Sequence, residues 1–357
     1  MCKVTIGIAV YNVEEYVGEC VLSALDQDFE DLEILVCDDC STDNSLEIVR
    51  DIINSHPNGK KARIIANPVN SGTATVRNNC IDNAKGDYLF FLDGDDFIKQ
   101  DCITVLYNKM QEKPADIIMA NYRVFGDSDK KSVQGNRAIP DFRTEGDQAI
   151  AKWMEVLKQN YHGTICNKLY RLSFLKDNNI RCRQSHGTIE DIYFTFLTLL
   201  KAESFVSMNR QTYYWRYRPV SSINAAFTEE KVNNYLKIFD DMRDDITELE
   251  TSNPDKEIPK QVLVYIYRRY ITGYVLKKMM NSNEISRSYK KAYLDHIYNP
   301  AGFGFNRDLI NSGMGRVLFD LWGSRYRYWL INYYYRNRKF LRLLYRIRKR
   351  LIKRLRF

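Results

Sequence analysis

Tyr88-Leu89-Phe90-Phe91-Leu92 runs directly into Asp93-Gly94-Asp95-Asp96, so an apolar, strand-like segment delivers three carboxylates within four residues to its C-terminal end. Two unit charges about 4 Å apart repel by about 4 kcal/mol at an effective dielectric near 20, and a divalent cation bound through oxygen relieves that repulsion. Mg²⁺ or Mn²⁺ can bridge one or two of the carboxylates of Asp93, Asp95 and Asp96 to a diphosphate. The same residues also suit a solvated turn that caps the following helix.

A second apolar run, Ile34 to Cys37, ends in Asp38-Asp39-Cys40-Ser41-Thr42-Asp43. Thr42 or Asp43 can cap the helix that follows, which leaves Asp38 and Asp39 without a local purpose. A carboxylate there can accept the N–H of a nucleobase, and Tyr11, at the end of the first apolar run, offers a ring to stack on it. Core packing is the other use of such an aromatic. In Asn70-Ser71-Gly72-Thr73-Ala74-Thr75-Val76-Arg77-Asn78 a glycine turn opens a helix. Arg77, one turn in, can orient the acidic cluster or meet a phosphate.

These residues need strands that end at a common edge. Apolar runs at Val4 to Val10, Leu32 to Val36, Ala62 to Ala66, Tyr88 to Leu92 and Asp116 to Ala120 alternate with helical patterns near Glu14 to Gln27, Asn44 to Asn54, Ala74 to Ala84 and Cys102 to Gln111. That alternation predicts an α/β fold with a largely parallel sheet, whose strand ends are the usual ligand site. Gly126 to Pro140 is polar and reads as an exposed hairpin or loop. Mixed elements follow to Tyr217, then helical patterns at Glu229 to Glu250, Pro259 to Met280 and Ile285 to Ile297, with a boundary near Ala225.

The 357 residues, 45% of them hydrophobic, can bury a catalytic-sized core and an appendage. Eight scattered cysteines and the lack of a signal-peptide pattern predict a cytoplasmic protein, and Cys37-Asp38-Asp39-Cys40 has no second pair to complete a zinc site. The net charge of +8 is local, because Arg325 to Phe357 holds thirteen Lys and Arg and no acid; without those thirteen, the first 324 residues carry a net −5. Phe340, Leu344, Ile347, Leu351 and Leu355 form an apolar stripe between those cations, a basic amphipathic helix too charged to cross a bilayer. It suits the anionic inner face of a membrane; packing on its own domain and nucleic-acid contact are the alternatives, and no nucleic acid is expected.

Taken in order, Ala9-Val10-Tyr11-Asn12, the acidic run at 38 to 43, Asn70-x-Gly72 with Arg77-Asn78, Asp93-x-Asp95-Asp96, Asn167-Lys168-Leu169-Tyr170-Arg171 and Glu190-Asp191-Ile192-Tyr193-Phe194 resemble the family 2 glycosyltransferases with the GT-A fold. The resemblance implies a GT-A domain over 1–225, with a mostly parallel central sheet flanked by helices; the helical patterns and the basic stripe beyond it predict a helical extension over 226–324 and the basic helix over 325–357. It further implies that Tyr11 and Asp39 hold the base, that Arg77, Asp93 and Asp95 serve the nucleotide sugar, that Asp93 and Asp95 meet the metal, and that Asp191 is the base of an inverting transfer. The donor would be a nucleotide sugar, by resemblance UDP-linked. The acceptor would be a hydroxyl of a glycan or lipid-linked glycan in cell-surface polysaccharide synthesis. Ala9, Cys40 and Asn79 depart from the family pattern, where Pro, Gly and Gly are usual.

Further candidates are Glu190, the neighbour and competitor of Asp191; Lys168; His162 and His186, for acceptor or phosphate; and Arg216 and Arg218, in the aromatic run Tyr213 to Arg218, for closure over the donor. Two other functions fit parts of the pattern. One is a non-catalytic sugar-nucleotide-binding or scaffolding protein, against which the intact Asp95 and Asp191 argue. The other is a phosphotransferase with Asp93 as nucleophile, whose supporting Thr and Lys stations are not found in order.

Overall fold

The computed structural model describes residues 2–126, 132–134, 138–146, 164–218, 226–252, 270–271 and 274–298, with single positions at 148, 151, 152 and 155. The basic segment 325–357, His162 and most of the helical pattern at 259–280 lie outside the described residues.

The chain builds β1 (Val4–Val10), α1 (Val17–Leu25), β2 (Leu32–Asp38), α2 (Ser45–Ser55), β3 (Ala62–Ala66), α3 (Thr73–Asn83), β4 (Tyr88–Asp93), the short β5 (Phe97–Ile98), α4 (Cys102–Glu112) and β6 (Ile117–Gly126). Next come β7 (Ser132–Gln134), β8 (Phe142–Glu145), β9 (Lys168–Arg171), α5 (Leu172–Asp177), a 3-10 turn (Gln184–Ile189), α6 (Glu190–Lys201) and β10 (Ser204–Tyr217). They form one sheet in the order β3-β2-β1-β4-β9-β6-β10-β5, with β7 on β6 and β8 on β10.

Strands β3, β2, β1 and β4 are parallel, whereas β9 runs antiparallel to both β4 and β6. The sheet is therefore parallel in its N-terminal half and mixed beyond β4. β1 and β2 are covered by helices and are largely apolar, with Val4, Ile6, Ile8, Ile34, Leu35 and Val36 at 0% exposure, and the buried Thr5 hydroxyl donates to Glu33 on the neighbouring strand at 2.6 Å. Gly7 on β1 lets α3 approach closely, since a Cβ there would lie 2.8 Å from the Cβ of Cys80. Phe91, Tyr170 and Phe194 meet edge to face at centroid distances of 5.7 to 5.9 Å, fastening β4, β9 and α6 together.

Parallel register aligns the strand ends that carry the candidate residues: Val10 of β1 pairs with Asp38, and Ala9 with Asp93. Because β1 sits between β2 and β4, the chain reverses its direction of sheet building there, which opens a crevice at those ends.

Two compact units divide the chain, Met1–Asn224 with Asp240–Val262, and Ala225–Phe239 with the chain from Leu263. Helix α7 (Glu229–Ser252) contributes its second half to the first unit. The second unit includes α8 (Leu276–Asn281) and α9 (Arg287–Tyr298), and buries Val232, Phe239, Val275, Met279 and Leu294.

Candidate active site

Tyr11 follows β1 directly and is 45% exposed, suited to stack on a flat ligand. Asn12 behind it has φ 49° and ties the β1 end to the acidic loop, its side-chain oxygen accepting the Thr42 N–H at 2.8 Å. Asp38 closes a turn on itself by accepting from the N–H of Ser41 at 3.1 Å and its hydroxyl at 2.5 Å.

Asp39 is buried and accepts three hydrogen bonds, from Asn67 Nδ2 at 2.8 Å, Ser71 N–H at 2.9 Å and Gly72 N–H at 2.7 Å. Its carboxylate therefore folds the loop 67–72 around the strand end, and any base would meet a carboxylate already fixed in place. Two departures from the family pattern bear on this loop. Asn79 donates to Asn67 at 2.8 Å, backing Asp39 from behind. Cys40 occupies the left-handed region at φ 62°, a conformation that glycine adopts without strain.

Asp93, Asp95 and Asp96 have separate partners. Asp93 Oδ1 pairs with Arg77 at 2.9 Å and Asp95 Oδ2 with Arg218 at 2.5 Å. Asp96 is buried, accepting from the Tyr213 hydroxyl at 2.5 Å and the Arg216 N–H at 2.8 Å. Burial, and then the charge of Asp93, push the Asp95 carboxyl up; burial, Asp95 and Asp93 push Asp96 well up. The donors of the cluster are all carboxylate oxygens. Among the described residues no group of three or more His, Cys, Asp or Glu side chains is gathered into a metal cage. That donor set fits a hard ion that takes one or two carboxylates and finds its other ligands in water and a diphosphate.

Arg77, itself buried, uses its second nitrogen to pair with Glu190 Oε1 at 2.8 Å, so one guanidinium joins β4 to the first turn of α6. The neighbouring acids are thereby separated. Glu190 is 2% exposed and held by Arg77, whereas half-buried Asp191 accepts the Ile192 N–H at 2.8 Å. Burial first, and then the charge of Glu190, raise the Asp191 carboxyl to about 7, against the opposing pull of Arg77. A carboxylate poised there is matched to taking a proton near neutral pH.

Other candidates are placed differently from a donor-contacting role. Lys168 is 1% exposed and donates to the backbone oxygens of Thr164 and Cys166, the latter at 3.3 Å, and to Asn167 Oδ1 at 3.1 Å, ordering the turn that enters β9. Burial lowers its ammonium to about 7. His186, expected in a polar loop, is at 0% exposure, its Nε2 2.7 Å from Asp241. Arg216 is a bracket for the acidic cluster, donating to the Asp95 carbonyl at 2.9 Å, pairing with Glu19 and lying 4.9 Å over the Tyr16 ring. Arg218 lies 5.2 Å from the same ring. Cys37 points into the core, 3.5 Å from the sulfur of Cys80, apart from half-buried Cys40, and both are free.

Glu19, Tyr16, Asp241 and Asp245 were not legible as supports, because their partners lie 50 or more residues away. Tyr213 could have been suspected as one of a dense aromatic run, but its bond to Asp96 depends on β5 and β10 pairing, Tyr213 opposite Ile98.

Residues 5–178 match the family model described as Glycosyl transferase family 2. The chain is 29% identical over 282 residues to Glycosyltransferase GlyA of Streptococcus pneumoniae serotype 4, covering 74% of this chain but 36% of that protein. It is 26% identical over 343 residues to the cholesterol galactosyltransferase of Borreliella burgdorferi, covering 90% and 92%. The crystal structure of Staphylococcus aureus TarS 1-349 in complex with UDP-GlcNAc superposes with a TM-score of 0.70 at 21% identity, over 94% of this chain and 92% of that one, so the fold is the GT-A fold. With the matched model covering the strands and helices that carry Tyr11, Asp39, Arg77, Asp93 and Asp95, residues 5–178 of this chain are a family 2 glycosyl transferase region.

Proposed function

We propose that this protein transfers a sugar from a nucleotide-diphosphate donor, UDP-linked, to a hydroxyl of a glycan or lipid-linked glycan acceptor in cell-surface polysaccharide synthesis, with inversion at the anomeric carbon. The observation that carries the reading is the Arg77 bridge, which sets Asp191 beside the diphosphate-side acids while leaving its carboxylate outside the ion pair. Its relatives include a poly(ribitol-phosphate) beta-glucosyltransferase of Bacillus spizizenii, and the similar TarS structure is a complex with UDP-GlcNAc, which supports a UDP-linked donor.

In this mechanism Tyr11 stacks on the base, and Asp39 accepts its N–H with lone pairs beyond those used for the loop. Asp191 takes the proton of the acceptor hydroxyl as its oxygen attacks the anomeric carbon, and the bond to the nucleotide diphosphate breaks on the opposite face. Asp93 and Asp95 would hold Mg²⁺ or Mn²⁺, which neutralises the charge that grows on the departing diphosphate. Arg218 balances Asp95 in the free protein and is close enough to turn its charge toward that diphosphate.

Thermal unfolding with UDP-sugars tests the proposal. At a free ligand concentration about 100 times its dissociation constant, a ligand that binds only the folded state adds about 2.7 kcal/mol. One UDP-sugar is expected to raise the melting temperature with Mn²⁺ or Mg²⁺ and to lose that effect in EDTA; no response to any nucleotide would sink the transferase reading.

The basic stripe of 325–357 supports attachment to an anionic membrane surface, each cation near such a surface adding about 1 kcal/mol. Among the described residues no helix is long and apolar enough to cross a membrane. Full-length protein is expected to float with phosphatidylglycerol liposomes at low salt, and a chain ending at Arg325 to sediment; equal flotation of both would discard the attachment.

A further inference from the structure

We infer that Asp241 and Asp245 on α7 are positioning residues that hold Asp191 at its working angle from outside the active site. This rests on the reading of Asp191 as the base. The two acids are four residues apart, so they share one face of the helix. Each grips the chain on a different side of Asp191. Asp241 Oδ2 accepts from His186 Nε2 at 2.7 Å, in the 3-10 turn that leads into α6. Asp245 Oδ2 accepts the hydroxyl of Tyr193, two residues beyond Asp191 on α6 itself.

Arg183 locks the two grips together. Its Nη1 lies 2.8 Å from Asp241 and its Nη2 3.4 Å from Asp245, so one planar fork spans both acids. Its guanidinium sits 4.5 Å from the centre of the Tyr193 ring, and the His186 ring meets that ring edge on at 4.6 Å. His186 and Tyr193 are both at 0% exposure, and side-chain exposures of 18% for Asp241 and 15% for Asp245 keep solvent from competing fully.

From inside the fold, Arg77 fixes Glu190, which sets the first turn of α6 against β4. Phe194, packed edge on against Phe91 and Tyr170, seats α6 on the sheet. The clamp adds polar attachments on both sides of Asp191, at His186 and at Tyr193, and so restrains the stretch of chain between them. A misplacement of about 1 Å at a reacting group can cost about a hundredfold in rate.

The experiment compares Asp241→Asn, Asp245→Asn, Asp191→Asn and Asp241→Asn in the Asp191→Asn background, all in the full chain and well below their melting temperatures. Hydrogen exchange of residues 184–195 is read first and needs no ligand. UDP release from UDP-glucose, UDP-galactose and UDP-N-acetylglucosamine with Mn²⁺ follows, with UDP affinity from calorimetry.

Faster exchange in 184–195, with 67–72 and 88–98 unchanged, is expected in Asp241→Asn. So is a fall of about tenfold or more in kcat, with UDP affinity within twofold. Asp241→Glu should recover part of the loss. The penalty should vanish in the Asp191→Asn background, where no base remains to be positioned; a merely stabilising contact would lower the remaining rate there as well. Unchanged exchange, or an Asp241→Asn kcat within twofold of wild type while Asp191→Asn is crippled, would overturn the inference. If Asp191→Asn itself retains wild-type turnover, the base assignment has failed instead, and the positioning role falls with it.

Discussion

Asp191→Asn is expected to lower transfer by about 10² to 10⁴-fold while leaving UDP affinity nearly unchanged, because the substitution keeps size and polarity and removes only the capacity to take a proton. A near-wild-type rate would exclude Asp191 as the base. The pH profile gives a second readout. The wild-type carboxyl is raised to about 7, so the rate should rise about tenfold per pH unit below that value and level off above it; the Asn variant should lose this limb.

Stability should respond with the opposite sign. A carboxyl whose folded value lies above its unfolded one favours folding most when protonated, so its contribution is present at low pH and lost as pH rises from the ordinary carboxylate range through about 7. The Asn variant is free of that loss. Relative to wild type it should melt higher at pH 8 than at pH 5, a gain in stability at the expense of activity.

Arg77→Met is expected to be the most damaging substitution for the fold of the site, with a loss of about 3 to 5 kcal/mol in chemical denaturation. The guanidinium is the partner of both Glu190, 2% exposed, and Asp93, and its removal leaves the buried Glu190 unpaired beside Asp191. Two features separate this from lost packing. The deficit should shrink as pH falls, because burial already raises the Glu190 carboxyl and protonation removes its stranded charge. Adding Glu190→Gln should restore part of the stability, since the uncompensated charge is then gone. A deficit that neither pH nor the second substitution changes would show that the bridge is not the reason.

Much of the site was legible because it is built from short local patterns. An apolar run that breaks into acids marks a strand reaching the edge of a sheet, and β2 and β4 place Asp38 and Asp93 at their C-terminal ends. The glycine turn before α3 was equally plain, and Gly72 has the positive φ of 83° that its residue type permits. Burial was not legible at Lys168 and His186, because local sequence context does not reveal what other segments pack around a side chain. Both side chains lie in the interior against acceptors supplied by other segments or by a tight turn. The antiparallel insertion of β9 between β4 and β6 was also hidden, since a four-residue strand carries too little periodicity to announce its direction.

The sequence by itself determined the α/β alternation, the strand ends on which the acids stand and the identity of the family, all of which follow from residue order. Which of two adjacent acids stays outside the ion pair was decided only by the tertiary structure. Successive residues on a helix point about 100° apart, so Glu190 and Asp191 face different surroundings, and those surroundings are assembled from α3, β4 and α6. Arg77 reaches Glu190 across 113 positions of sequence, and no local pattern contains a contact that only folding creates.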